Sequence, residues 1–217
     1  MKYIIMCGGV YKRWETPRQL LKLHGEEIAA RTIRLLRNAG VKDIAISSNN
    51  PGFDGFGVPV LRHDNSYVAN GYCDIKGYWS DAFYPTDEPV CYLFGDVVFS
   101  LRAIKTIVET ETKDVEFFAS AEPFAVGYPK PWAEPFALKV VDQEHLHKAI
   151  EETKRLDAEG KFDRKPIMWE LWQVIKGTQL NRICTNYTVI NDYTCDVDNA
   201  DEIPRIEQAV MRYGGWA

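Results

Sequence analysis

Along almost the whole chain, short apolar runs alternate with amphipathic stretches of helical period. That alternation leaves essentially one architecture: strand, crossover helix, parallel strand, repeated into an α/β fold with a mostly parallel, Rossmann-like sheet and helices on both faces. Strands are expected at residues 2–7, 43–48, 58–61, 90–94, 115–120, 136–141 and 183–190. Helices are expected at 26–39, 101–110, 143–158, 166–177 and 200–213, with the aromatic stretch 78–84 also helical and facing the core. The first helix groups Ile28, Thr32, Leu35, Leu36 and Ala39 on one face and stops at Gly40. The last groups Ile203, Ile206, Ala209 and Val210, and Asn199 with Glu202 has capping-box spacing. Residues 121–135 break the pattern, because Pro123, Pro129, Pro131 and Pro135 forbid a continuous helix or a central strand. The reading is one domain over residues 1–217, carrying a long ordered loop or lid-like insertion around 121–135.

Composition narrows the partners. A net charge of −5 argues against a nucleic-acid polymer, which needs an excess of Lys and Arg, but leaves room for a nucleotide bound by a local basic cluster. No apolar run is long enough to span a membrane and no basic-then-apolar leader is visible, so a cytoplasmic location is expected with no membrane partner. Cys7, Cys73, Cys91, Cys184 and Cys195 are odd in number, scattered, and never in a C-x-x-C pair, which argues against a zinc site.

The chemistry concentrates at predicted strand ends. The first strand breaks at Gly8-Gly9, and Arg13 and Arg18 follow within ten residues. A glycine pair lets the backbone of Cys7, Gly8, Gly9 and Val10 face a phosphate, and arginines supply forked donors for its oxygens. The chain therefore begins like a nucleoside triphosphate site; a plain strand-turn with two solvated arginines is the alternative. Asp96 follows the apolar strand 90–94, and Asp196 and Asp198 lie between the strand ending at Ile190 and the final helix. Carboxylates after strands in an open α/β sheet are well placed to bind Mg²⁺ beside a phosphate. They are equally ordinary as turn and capping residues, and only their combination with the glycine-arginine loop points to a metal.

Gly8-Gly9-Val10-Tyr11-Lys12-Arg13 followed by Pro17-Arg18-Gln19-Leu20 resembles the opening signature of the GT-A-like nucleotidyltransferases, a superfamily of sugar-1-phosphate nucleotidylyltransferases and cytidylyltransferases. Gly95-Asp96 resembles their metal aspartate, and Asp196-Val197-Asp198-Asn199 their closing aspartate motif. Asn70-Gly71 sits where they place a base-binding segment. Tyr11 stands where a glycine is usual, and Arg18 where a lysine is usual. The resemblance implies a GT-A-like fold and transfer of a nucleoside monophosphate from a nucleoside triphosphate to a small phosphorylated acceptor, with release of pyrophosphate. It implies that Arg13 and Arg18 hold the phosphates, that Asp96 and Asp198 hold Mg²⁺ with Asp196 nearby, and that Asn70, Gly71 and Asp74 lie near the base. The insertion would wall the acceptor pocket with Tyr128, Trp132 and Phe136 beside Lys130 and Lys139; plain packing of a large insertion is the equal alternative.

Three other readings compete. A GT-A glycosyltransferase would carry D-x-D at the metal position, whereas Asp96 is followed by Val97-Val98. A non-catalytic nucleotide-binding module would account for Tyr11 and Arg18. A dinucleotide-binding Rossmann domain would need G-x-G-x-x-G spacing, and Gly8 and Gly9 are adjacent. These motifs leave the base, the acceptor and the oligomeric state open.

Overall fold

A computed structural model of the chain describes residues 1–8, 16–63, 77–121, 133–182 and 186–213. The central sheet has seven strands: β1 (Lys2–Met6), β4 (Ile44–Ser47), β5 (Val60–Leu61), β6 (Val90–Phe94), β8 (Val115–Ser120), β9 (Pro135–Val140) and β10 (Thr188–Ile190). Two short antiparallel ribbons complete the strands: β2 (Lys22–Leu23) with β3 (Glu26–Glu27), and β7 (Val97–Val98) with β11 (Cys195–Asp196). The helices are α1 (Ile28–Asn38), α2 (Leu101–Glu109), α3 (Gln143–Ala158), α4 (Met168–Ile175) and α5 (Ile203–Tyr213).

Across the main sheet the order is β10-β8-β9-β6-β1-β4-β5. β1 pairs in parallel with β4 and β6, β4 with β5, and β8 with β10. β9 runs antiparallel to both neighbours, β6 and β8. The expected parallel sheet is therefore interrupted at β9, which pairs directly with the strand that precedes it in the chain. Every residue of β4 and β6 is buried. Successive strand residues point to opposite faces, so both faces are covered at the centre, as a parallel sheet requires.

Three of the expected elements differ in their limits. The stretch 78–84 holds only a single 3₁₀ turn, Trp79–Ala82, which leads into a cluster where Trp79 meets Phe83 and Phe94 edge-on. The last sheet strand shows only Thr188–Ile190 among the described residues. The first helix starts at Ile28, not residue 26, because Glu26–Glu27 pairs back on Lys22–Leu23 across His24 and Gly25. Both turn residues have positive φ (47° and 88°), the combination a two-residue hairpin turn selects. Gly40, also at positive φ, ends the α1 segment as expected.

α1 buries more than its predicted face. Ile33 and Arg31 are inside too, and the Arg31 guanidinium donates to the Phe99 carbonyl (2.9 Å) and to the Tyr193 hydroxyl (3.3 Å). It thereby pins α1 to the segments on either side of the β7/β11 ribbon. Ser100 works at the same junction. Its hydroxyl accepts from Ala103 N–H to cap α2 and donates to Asp192, while its own N–H donates to Thr194 Oγ1. A second aromatic cluster, Phe117, Trp169, Trp172 and Tyr187, packs α4 against the β8 and β10 side of the sheet.

Candidate active site

Three segments far apart in sequence meet at the carboxyl edge of the parallel strands. The first is the end of β1, where Cys7 N–H donates to Ser47 O and Ser48 Oγ donates to the Cys7 carbonyl. The second is Gly95-Asp96 at the end of β6. Gly95 N–H donates to Met6 O (3.1 Å), and a Cβ on residue 95 would stand 2.3 Å from that same oxygen. Only glycine lets β6 leave the sheet this close to β1, and Asp96 is the next residue out. The third is the β7/β11 ribbon, which the sequence reading missed. It returns the chain beside Asp96, with Val197 N–H donating to the Asp96 carbonyl at 3.0 Å. Asp196 and Asp198 thus reach the site on a two-residue ribbon, not from the end of the strand at Ile190.

Arg18 joins these segments. It starts the 3₁₀ turn Arg18–Leu20, directly after Pro17, and its side chain is only 6% exposed. One terminal nitrogen lies 2.5 Å from Asp96 Oδ2; the other donates to the Val197 carbonyl (2.5 Å) and to Asp198 Oδ1 (3.2 Å). A fork of fixed donors can grip two carboxylates and a carbonyl at once, which an ammonium cannot do in the same plane. Exposure rises across the pair, from 17% at Asp96 to 41% at Asp198. Burial, and after it the Asp96 charge, pushes the Cys7 thiol well up from its ordinary range, so Cys7 is a neutral wall of the site and no nucleophile.

Asp198 is held from its other side by the 3₁₀ turn Ala200–Glu202 that leads into α5. Its N–H donates to Glu202 Oε2 (2.9 Å), and Asn199 Nδ2 donates to Glu202 Oε1. The expected Asn199–Glu202 pair is present, but the carboxylate caps the Asp198 N–H, and the Asn199 side chain makes no capping bond of its own. The β2/β3 hairpin meets the same helix through His24 N–H and Glu207 (2.7 Å).

Glu134 was not foreseen. It is buried beside the end of β8, where its N–H donates to Ser120 Oγ and its carbonyl accepts from Ser120 N–H. Because β9 runs antiparallel, its first residues sit at the same edge where β6 and β8 finish. A carboxylate before a strand then lands where only carboxylates after strands were sought. Glu134, Asp196 and Asp198 each offer an oxygen, all within 4.8 Å of one another. Oxygens on opposite sides of one Mg²⁺ are about 4.2 Å apart, so hard oxygen donors at this spacing suit such an ion after small adjustments. Asp96 stands beside this trio, joined to Asp198 through Arg18.

Two residues assigned to the acceptor wall lie elsewhere. Phe136 is fully buried against Phe99, and Lys139 Nζ donates to the Val108 and Thr110 carbonyls at the end of α2. β9 turns both into the core because it is an interior strand, not an extension of the loop. Gly8 ends the described part of the first segment; Gly9, Val10, Tyr11, Arg13, Asn70, Gly71, Asp74 and residues 122–132 lie outside the described residues.

Residues 3–155 match the model of the MobA-like NTP transferase domain. The chain belongs to that family. The match includes Arg18, Asp96 and Glu134, whereas Asp196 and Asp198 lie beyond it. Solved structures show the same fold over nearly the full length. A Bacillus anthracis protein provisionally named a glucose-1-phosphate thymidylyltransferase, in complex with a sucrose, aligns over 95% of this chain and 94% of its own at TM-score 0.55 and 17% identity. The CTP:phosphocholine cytidylyltransferase of Streptococcus pneumoniae aligns over 95% of this chain and 97% of its own at TM-score 0.53 and 14% identity. A comparison with curated proteins finds no match. The site is thus that of a nucleotidyltransferase-type fold, and no helix among the described residues is long and apolar enough to cross a membrane.

Proposed function

We propose that this nucleotidyltransferase moves a nucleoside monophosphate from a nucleoside triphosphate onto the phosphate of a small sugar phosphate or phospho-alcohol, releasing pyrophosphate. The observation that carries the reading is the meeting of Asp96, Asp196, Asp198 and Glu134 with Arg18 at the carboxyl edge of β1 and β6. In an open α/β sheet that edge is where ligands bind, and family membership supplies the class of reaction. The acceptor phosphate attacks the α-phosphorus, so the protein needs no nucleophile of its own, in keeping with the neutral Cys7. Its task is positioning and charge neutralisation.

The backbone of Cys7, Gly8, Gly9 and Val10 takes the phosphates, and Arg13 and Arg18 supply the cations for their oxygens. Asn70, Gly71 and Asp74 lie near the base. Asp198 and Asp196, with Glu134 and Asp96, would hold Mg²⁺, which would supply neutralisation of phosphate charge. The acceptor binds between the sheet edge and the segment 121–135. The two solved structures are named for glucose-1-phosphate and phosphocholine, so those two compounds begin the acceptor panel.

The test is a thermal-shift screen of CTP, UTP, GTP, ATP and dTTP with Mg²⁺, followed by pyrophosphate release with each acceptor. A bound triphosphate at a hundred times its dissociation constant adds about 2.7 kcal/mol to stability. A triphosphate that stabilises the protein but never yields pyrophosphate with any phosphorylated acceptor would remove the transferase reading and leave a nucleotide-binding module.

A further inference from the structure

A cation already lies between two of the four carboxylates at the proposed metal site. The Arg18 guanidinium sits 2.5 Å from Asp96 and 3.2 Å from Asp198, almost wholly out of solvent. The guanidinium holds Asp96 Oδ2 and Asp198 Oδ1, so a divalent ion drawn to these two carboxylates must share them with a cation already in contact with both. Two cations crowded onto one pair of carboxylates repel each other strongly at such distances.

We propose that Arg18 is a displaceable counter-cation that locks the site closed to free divalent metal and couples metal binding to triphosphate binding. The inference rests on the nucleotidyltransferase reading of this same site. Asp96 is fixed: it follows Gly95, which no other residue can replace without meeting Met6. Asp198 is the more exposed partner and lies two residues past the β7/β11 ribbon. Metal alone brings a second cation against this buried guanidinium and loosens its pairing with Asp96, which is costly. A triphosphate changes that balance, because its oxygens are the other good partner for a forked guanidinium. Arg18 turns from the carboxylates to the phosphates as the carboxylates turn to the metal. Neither ligand then binds well without the other, and by linkage each raises the affinity of the other by the same factor.

A lysine at this position would behave differently. One ammonium satisfies one carboxylate at a time and leaves the second open to metal. The arginine at position 18, where a lysine is usual in the resemblance, is therefore what makes the lock.

The test is Mn²⁺ binding to the nucleotide-free protein, read by electron paramagnetic resonance. Wild type, Arg18→Lys, and Arg18→Lys with Asp96→Asn are compared after circular dichroism confirms folding. The single variant should bind Mn²⁺ more tightly than wild type by about 5- to 150-fold, the usual range of coupling between two sites. The double variant should lose that gain. Equal affinity in wild type and Arg18→Lys, or a gain that survives Asp96→Asn, would overturn the lock.

Should the variants not fold, wild type alone decides it through the guanidinium resonances of Arg18 in ¹⁵N-labelled protein. They should stay in the slow-rotating, ion-paired state with Mg²⁺ alone and change when Mg²⁺ and inorganic tripolyphosphate are added together. Resonances that respond to Mg²⁺ alone, or to neither addition, would overturn it. The Mn²⁺ measurement uses no nucleotide, so its failure is separate from a failure of the nucleotide screen.

Discussion

Replacing Gly95 by alanine adds one methyl group at the point where β6 and β1 leave the sheet. The new Cβ would lie 2.3 Å from Met6 O, 2.9 Å from Cys7 Sγ and 3.0 Å from Gln19 Cγ. A comfortable carbon–oxygen contact is about 3.3 Å, so the two strand ends must part by about 1 Å. The Gln19 atom can swing away, but the Met6 carbonyl cannot. It belongs to a strand held on both sides by β4 and β6, and it accepts the Gly95 N–H. Overpacking of this kind costs about 1–3 kcal/mol, and weakening the hydrogen bond adds about 1. The expected destabilisation is therefore about 2–4 kcal/mol in urea unfolding followed by circular dichroism. Gly55→Ala is the control, since a Cβ there meets nothing within 4 Å. It should change stability by no more than about 0.5 kcal/mol. Asp96 moves with residue 95, and a misplacement of about 1 Å in a catalytic group can cost about a hundredfold in rate. A Gly95→Ala protein as stable and as active as wild type would show that the close approach of the two strand ends is not what positions Asp96.

Asp96→Asn should abolish metal-dependent pyrophosphate release while the far-ultraviolet spectrum stays native; retained turnover would remove Asp96 from the reaction. Arg13→Ala should weaken triphosphate binding or turnover by about 2–4 kcal/mol, typical of a lost preorganised charge contact, and unchanged kinetics in a folded variant would sink that assignment. Stability should fall as pH rises above about 9, the ordinary range in which an exposed thiol begins to ionise. Burial pushes the Cys91 thiol from 9.0 up to about 12 and raises Cys7, Tyr3 and Tyr92 as well. Across that interval the unfolded chain releases protons that the folded chain keeps, so the protonated core stabilises only below the unfolded values. Lys139, which burial pushes down, opposes this in the interval just below 10.5 but is one group against four. Cys91→Ala should flatten the slope of urea midpoint against pH, and an unchanged slope would refute the assignment to Cys91. Cys7 and Cys91 should also resist iodoacetamide in the native protein and react only on unfolding, as mapped by mass spectrometry.

The parts of the fold that sequence reveals are those whose period outlasts a few residues. Val90–Phe94, Val115–Ser120 and Gln143–Ala158 are long enough for alternation, an unbroken apolar run or a helical face to be read directly. Strand direction has no such signature. The run 135–140 looks the same whether it lies parallel or antiparallel, and reading it as parallel hid Glu134 at the wrong end of the strand. The β7/β11 ribbon is hidden for another reason. Two residues have no period, and Val97–Val98 pairs with Cys195–Asp196 because Arg31, Ser100 and Thr194 fix the flanking segments. Arg18 was legible as a cation near phosphates, but its grip on Asp96 and Asp198 depends on a contact across nearly the whole length of the chain.

That contact explains why so acidic a site is tolerated in a folded, ligand-free protein. Four carboxylates from residues 96, 134, 196 and 198 converge on one sheet edge, and like charges drawn together out of water oppose folding. Arg18 neutralises Asp96, the more buried of the two aspartates it contacts, and reaches the more exposed Asp198 with its second nitrogen. The stabilisation is greatest toward Asp96, where solvent screens least, and weakest toward Asp198, where it screens most. The charge pairing is thus firmest at Asp96, where the strand ends, and most screened at Asp198, so once a triphosphate draws Arg18 away Asp198 should be the first of the pair to engage an incoming cation.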